Sequence, residues 1–251
     1  MEDLVSVVIP MYNAESFIKE TIISVINQTY KNMEIIIVDD KSKDNSAKIV
    51  EEMQKLDSRI KYIKLVENKG VANARNIGIK NSKGRFIAFI DSDDLWKENK
   101  LEKQIKFMVK NNYGFTFTSY EYINEDGTSM NKVIHTKNCV DYEKLLNGNC
   151  IGCSTVVIDR NIVSSIHMPK VRHEDYVTWL SILKSGHKAY GLEENLGYYR
   201  KLKNSLSGNK IQAAKWTWNI YINIEKLPLN KAILYFTKYA CKNIKKHFLK
   251  F

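Results

Sequence analysis

The 251-residue sequence predicts an α/β protein: an open, mainly parallel, Rossmann-like sheet with flanking helices, followed by a C-terminal helical segment. Three observations carry that prediction. Over the first 110 residues short apolar runs alternate with segments of helical period, the pattern of parallel strands joined by crossover helices. The composition, 44% hydrophobic and 27% charged with only three prolines, is that of a globular chain and excludes disorder and collagen-like repeats. The charge is unevenly placed: residues 210–251 hold nine lysines and one acid, Glu225, which leaves only +3 of the net +11 to the first 209 residues.

The elements follow in order. Leu4–Ile9 reads as a strand ended by Pro10, and Ala14–Gln28 as an amphipathic helix with Phe17, Ile18, Ile22, Val25 and Ile26 on one side. Strand Glu34–Val38 leads to a helix over about 43–55, strand Ile60–Val66 to helix Gly70–Asn81, and strand Arg85–Ile90 to a helix over about 97–109. The second half is less regular. Phe115–Ile123 and Met130–His135 form a hairpin around Glu125-Asp126-Gly127, Ser154–Ile158 is a short strand, Glu174–Ser185 a helix and Lys188–Arg200 extended. Two helices, about 210–225 and 230–248, close the chain and are broken at Pro228. A catalytic domain over 1–205 is expected, divided into 1–94 and 95–205, with 206–251 as a basic aromatic tail.

In an open α/β sheet, ligands bind outside the carboxyl ends of the strands. Those ends carry Tyr12-Asn13, Asp39-Asp40, Glu67-Asn68 and Asp91-Ser92-Asp93, so acids stand at three of the four. Neither a GxxxxGK[ST] loop nor a GxGxxG after the first strand is present, which disfavours an ordinary ATPase or dinucleotide site. Two carboxylates as close as Asp91 and Asp93 repel unless a cation lies between them, and hard divalent cations take oxygen ligands. The competing reading is that these aspartates cap a helix starting near Leu95.

At this point the chain resembles the inverting glycosyltransferases of family 2, which have the GT-A nucleotide-sugar fold. The matching residues are Val5-Ser-Val-Val-Ile-Pro10-Met-Tyr12-Asn13, Ile36-Ile-Val-Asp39-Asp40-Lys-Ser42, Asn68-Lys-Gly70 with Ala74-Arg75-Asn76-x-Gly78, Phe89-Ile-Asp91-Ser-Asp93-Asp94, and His173-Glu174-Asp175. They run in the family's order across residues 4–200. The resemblance implies a UDP-sugar donor, with Pro10, Tyr12, Asp39, Asp40, Asn68, Arg75, Asp91 and Ser92 at the nucleotide and Asp40 favoured over Asp39 for the uracil imide. It gives Asp93 the metal, Mn²⁺ or Mg²⁺, with Asp91 in the ribose or metal shell. Arg75 offers a planar donor fork to the diphosphate or to the carboxylates.

Inversion needs a base opposite the leaving group, and by motif position that base is Asp175, with Glu174 as neighbour. Both acids would also suit the first turn of a helix for purely structural reasons. One departure stands out: many relatives carry a His two residues after a Tyr-Arg pair, where this chain has Tyr199-Arg200-Lys201-Leu202-Lys203. Arg200 or Lys203 then becomes the candidate to meet the phosphates, and Asn204-Ser205-Leu206-Ser207 follows the family's usual ending. The acceptor implied is a saccharide or lipid-linked saccharide of a surface-polysaccharide pathway such as capsule or lipopolysaccharide.

Lysines interleaved with aromatics in the tail fit an anionic membrane surface, the expected polyanion in place of nucleic acid, for which no motif is present. The alternative is that these helices pack back on the catalytic domain or on a second subunit of a homo-oligomer. No apolar run reaches the ~20 residues of a membrane span, and Met1-Glu2-Asp3 opens no secretory signal, so a cytoplasmic, peripheral location is expected. Cys150-Ile-Gly-Cys153 has metal or redox spacing but no second pair to complete a zinc site; all four cysteines read as reduced thiols. A nucleotidyltransferase is the rival enzyme, though Pro10–Ala14 lacks its Gly/Arg/Lys-rich triphosphate loop, and a non-catalytic docking protein is the rival outside enzymes.

Overall fold

In the computed structural model, which describes residues 3–202 and 210–248, the sheet grows outward from β1 (Val5–Met11). All seven residues of β1 are buried, because both faces of the strand are covered. Val5, Val7, Ile9 and Met11 join a core with Ile18, Ile22 and Val25 of α1 (Ile18–Ile26), while Val8 joins the opposite core with Ala72 of α3 (Val71–Asn81) and Trp179 of α6 (Glu174–Lys184). A Cβ on Gly78 would come within 2.4 Å of Val8 Cγ1, so glycine is what lets α3 lie this close to β1.

Parallel strands β2 (Met33–Asp39) and β3 (Ile60–Lys64) extend the sheet on one side and β4 (Phe86–Phe89) on the other. α2 (Ser46–Leu56) connects β2 to β3. Beyond β4 the direction changes. β9 (Val157–Asp159) runs antiparallel to both β4 and β6 (Phe115–Ile123), β10 (Ala189–Arg200) returns parallel to β6, and the short β5 (Leu95–Trp96) pairs with β10, giving the order β3-β2-β1-β4-β9-β6-β10-β5. β7 (Ser129–Ile134) pairs antiparallel with β6 as the expected hairpin, and β8 (Cys139–Val140) pairs with β10. The four-strand parallel part thus bears the strand ends at which the acids stand.

Several boundaries differ from the sequence expectation for identifiable reasons. β1 continues through Pro10 to Met11. Val8 O accepts from Ile90 N on the β4 side and Met11 O from Asp40 N on the β2 side, so alternation aims the Pro10 nitrogen toward β4 beyond its last ladder bond. No helix starts at Leu95: Leu95–Trp96 forms the short strand β5 on β10, Lys97 N bonds Leu196 O, and α4 waits until Lys100–Asn111. The aspartates before it therefore do not cap a helix at Leu95. Cys153–Thr155 is a 3₁₀ turn leading into β9.

The last two helices pack back on the body of the protein. α7 (Lys210–Asn219) runs into a π turn at Ile220–Ile224, where Glu225 N bonds Ile220 O at 2.8 Å, and α8 (Leu229–Phe248) follows Pro228. Ile220, Tyr221, Ala232 and Tyr235 are buried in the same core as Trp179. Glu225, the one acid of this region, accepts from Tyr142 Oη at 2.6 Å, on α5 (Tyr142–Leu146), and from Lys184 Nζ at 2.9 Å. On their inner side these helices are part of the main core.

Candidate active site

The acids at the strand ends have unlike environments. Asp39 is fully buried; one oxygen accepts from Ser42 N at 2.8 Å and Ser42 Oγ at 2.6 Å, the other from Tyr62 Oη at 2.8 Å. Burial, and then this bond to Asp39, push the Tyr62 phenol upward. Asp39 thus holds its own turn. Asp40 receives Lys69 N at 2.8 Å and Gly70 N at 2.7 Å, one on each oxygen, which leaves lone pairs on both. This clamp sets the loop at Gly70, whose φ of 91° suits glycine, immediately before α3.

Because Asp40 N bonds Met11 O, the ends of β1 and β2 are tied and Tyr12 emerges beside Asp40, with 45% of its surface exposed. Asn13 adopts the left-handed region at φ 48°, and its Oδ1 accepts from Lys43 N at 2.8 Å. Pro10 is buried in the strand below, while Asn68 is exposed on the loop above.

Arg75, on the second turn of α3, is 4% exposed and binds two acids from distant parts of the chain. Nη2 lies 2.6 Å from Asp91 Oδ1, and Nη1 lies 2.6 Å from Glu174 Oε1. Burial works against the guanidinium charge, but Cys153, Asp91 and Glu174 around it outweigh burial and hold its pKa well above the ordinary value. Arg75 therefore meets the carboxylates and joins the strand-end acids to the His173-Glu174-Asp175 segment.

That neutralisation is selective. Asp93 is pushed up to about 6 by burial and then by Asp91. Asp175, partly buried in the first turn of α6, is likewise pushed up to about 6, by burial and then by Glu174. Its Oδ2 is 3.3 Å from Asn149 Nδ2. His173 precedes the helix in the left-handed region at φ 58°, edge-on to Trp216 of α7 at 5.3 Å, and burial lowers its pKa. Ser92 is half-buried, its carbonyl accepting from Thr21 Oγ1 at 3.0 Å.

Arg200 is not available to phosphates in this arrangement. Its Nη2 binds Glu20 Oε2 at 2.7 Å, its Nη1 the Glu125 carbonyl at 2.8 Å and its Nε the Asp93 carbonyl at 2.9 Å. The residue is 3% exposed and acts as a strut beneath the Asp93 loop. Lys203 and the stretch 204–207 lie outside the described residues.

The sequence reading missed the supports of that loop. Asp94 is buried, accepts from Ser154 Oγ at 2.6 Å and Arg200 N at 3.0 Å, and burial followed by Asp93 and Asp91 drives its pKa well up. Ser154 Oγ also accepts from Asp91 N at 3.0 Å. Asn149 and Ser154 sit in a segment whose only visible pattern is the cysteine spacing, so no signal marked them; Cys153 itself is a buried core thiol, pushed up chiefly by burial.

A sheet with this order, an acidic switch at the end of β4 and a second acidic segment facing it across Arg75 define a GT-A glycosyltransferase. Solved structures share the fold: Staphylococcus aureus TarS 1–349 in complex with UDP-GlcNAc superimposes with a TM-score of 0.72 at 19% identity, over 94% of this chain and 71% of that one. The mannosyltransferase PcManGT of Pyrobaculum calidifontis, in complex with GDP-Man and Mn²⁺, gives 0.70 at 17% identity, over 95% and 70%. The family profile described as Glycosyl transferase family 2 matches residues 6–162, and the chain belongs to that family. It is similar to TuaG of Bacillus subtilis, a glycosyltransferase assigned by name to teichuronic acid biosynthesis, with 46% identity over 97% of each chain. It is also similar to WfgD of Escherichia coli, named UDP-Glc:alpha-D-GlcNAc-diphosphoundecaprenol beta-1,3-glucosyltransferase, with 43% identity over 98% of this chain and 96% of that one. The chain is therefore a glycosyltransferase.

Proposed function

We propose that this enzyme transfers glucose, with inversion, from UDP-glucose to a saccharide carried on a lipid diphosphate. The names of WfgD and of WfaP, which is 39% identical over 98% of this chain, support that donor and that class of acceptor. The observation that carries the chemistry is Arg75, which holds the donor-side Asp91 and the acceptor-side Glu174 at 2.6 Å each and so brings Asp175 to the sugar end of the donor.

In this reading Tyr12 stacks on the uracil and Asp40, already clamped by two backbone N–H groups, accepts the imide N–H. Pro10 shapes the floor of that pocket, Asn68 and Ser92 reach the ribose and diphosphate, and Asp39 acts through the turn it braces. The acceptor hydroxyl attacks the anomeric carbon from the side opposite the diphosphate, the bond from that carbon to the diphosphate oxygen breaks, and Asp175 takes the hydroxyl proton. An α-linked donor then gives a β product. A carboxyl with a pKa of about 6 is charged at neutral pH and still close enough to neutrality to accept a proton efficiently.

The residues fit a divalent cation. Asp93 and Asp91 present adjacent carboxylates whose mutual repulsion helps raise Asp93 to about 6, and oxygen donors of this kind suit Mn²⁺ or Mg²⁺. Among the described residues no three His, Cys, Asp or Glu side chains gather to hold an ion alone, so the diphosphate oxygens would complete its shell. Bound there, the cation would stabilise the departing UDP as a Lewis acid.

The catalytic machinery lies within 1–205, and the outer side of α7 and α8 rests on an anionic membrane at the cytoplasmic face. α7 and α8 carry lysines without a single acid, and Leu229 and Leu234 are exposed among them. No helix among the described residues is long and apolar enough to cross a membrane. The test is incubation with UDP-glucose, Mn²⁺ or Mg²⁺, and a GlcNAc-diphospholipid, followed by NMR of the product. A β-linked disaccharide lipid is expected; the absence of any UDP-glucose-dependent product with either ion would overturn the reading.

A further inference from the structure

Between α7 and α8 lies an open groove of about 550 Å³, lined by Ile211, Ala214, Lys215 and Trp218 on one helix and by Ile233 and Phe236 on the other. Ile211, Ala214, Lys215 and Trp218 recur at i, i+3, i+4 and i+7, so they form one continuous face. The base of the groove is aromatic, where Trp218 meets Phe236 edge-on at 5.2 Å and Phe236 meets Tyr239 at 5.9 Å. Its rim is apolar and open, with Ile211 74% and Ile233 51% exposed. The volume falls in the roughly 300–1,000 Å³ range of small-molecule sites, but the lining offers hydrocarbon, one ammonium and the Thr237 hydroxyl, which donates to Ile233 O at 2.9 Å, in place of the several polar groups of a sugar or nucleotide pocket.

The groove is joined to the reaction centre by a single helix. Trp216, two residues before Trp218, packs on His173 at 5.3 Å and under the Arg172 guanidinium at 5.4 Å. His173 directly precedes Glu174 and Asp175. Trp216 and Trp218, two residues apart, face nearly opposite sides of α7, so a molecule whose polar end reaches Asp175 would cross α7 to place its apolar end in the groove. Its anionic link would pass Lys215, on a surface where α7 and α8 carry no acid.

We propose that this groove seats the first isoprene units of the acceptor's lipid chain, with Lys215 facing the diphosphate that joins chain to saccharide. This rests on the reading that the acceptor is lipid-linked. It adds a binding subsite formed by the C-terminal helices themselves, distinct from their contact with a bilayer surface.

The test uses the full chain and farnesyl diphosphate, a soluble isoprenoid diphosphate, as the calorimetric probe, beside inorganic diphosphate and phosphatidylglycerol vesicles. Farnesyl diphosphate is expected to bind saturably, and inorganic diphosphate about tenfold more weakly or worse. Ile211→Glu and Ile233→Glu, each at an exposed position, are expected to weaken farnesyl diphosphate binding about tenfold or more while UDP affinity is unchanged. In transfer assays the same variants should raise KM for a farnesyl-diphosphate-linked GlcNAc and leave KM for a short-chain GlcNAc glycoside as it is. Wild-type affinity in both variants, equal binding of inorganic diphosphate, or a response confined to vesicles would overturn the proposal. If UDP-glucose still glucosylates the short-chain glycoside while farnesyl diphosphate fails to bind, the groove assignment falls and the enzyme reading stands. If UDP itself does not bind, the enzyme reading falls.

Discussion

The acids that follow β4, Asp91 and Asp93, and the acids that open α6, Glu174 and Asp175, come from distant parts of the chain and are divided in the same way. In each pair one member is held by Arg75 at 2.6 Å, and the other is left with its pKa pushed up to about 6. The Asp39–Asp40 pair differs from both: hydrogen-bond donors of the fold engage each of those carboxylates, and neither has an ion-pair partner among the described residues. The contrast separates acids that build a loop from acids with charge to spare. Arg75 serves as the arbiter: its fork ties one carboxylate of each pair and not the other.

The largest effect expected from breaking this arrangement is at Asp175. Asp175→Asn should lower kcat by about 10²–10⁴-fold, measured with UDP-glucose and a GlcNAc-diphospholipid, while UDP titration gives an unchanged Kd. Next, Arg75→Met should destabilise the fold by about 3–5 kcal/mol in urea unfolding, since it strands Asp91 and Glu174 without their partner. A loss below about 1 kcal/mol would mean that the pairs do not depend on Arg75. Asp39→Asn should cost about 1–3 kcal/mol through the turn, with UDP affinity retained among folded molecules. A selective loss of UDP binding there would return Asp39 to the nucleotide site. The smallest effect is a matter of pH. Because Asp175 rises from 3.8 to about 6 on folding, the folded chain holds a proton that the unfolded chain has released between those values. Stability therefore falls as pH rises through that window. Asp175→Asn removes this slope, so the variant should melt a few degrees above the wild type at neutral pH and together with it near about pH 4.

Much of this was legible in the sequence because it is local. Alternating apolar runs marked β1 to β4, and their ends put Tyr12, Asp39, Asp40, Asp91 and Asp93 at the crevice. Glu174 and Asp175 entered through the resemblance to family 2, as did the preference for Asp40 over Asp39. What escaped depends on contacts between distant residues. β5 and β8 are two residues each, too short for a period, and exist because β10 offers them an edge. Asp94 gains its role from Ser154, sixty residues on, and Arg200 is used up by Glu20, 180 residues away. Adjacent aspartates in a motif look alike on paper, and only the donors around Asp39 separate it from Asp40. The tail's charge was visible, but the burial of Tyr221 and Tyr235 that turns half of it inward was not.

The central claim is that Asp175 keeps a proton affinity near neutrality while its neighbour Glu174 is tied to Arg75. The most direct measurement is an NMR pH titration of the protein with ¹³C-labelled aspartate carboxyl groups, assigned by comparison with Asp175→Asn. One carboxyl resonance should titrate at about 6 and vanish in that variant, alongside the similar signal of Asp93, which should remain. If no resonance lost in Asp175→Asn titrates above the ordinary aspartate value of about 3.9, the assignment of Asp175 as the base is contradicted.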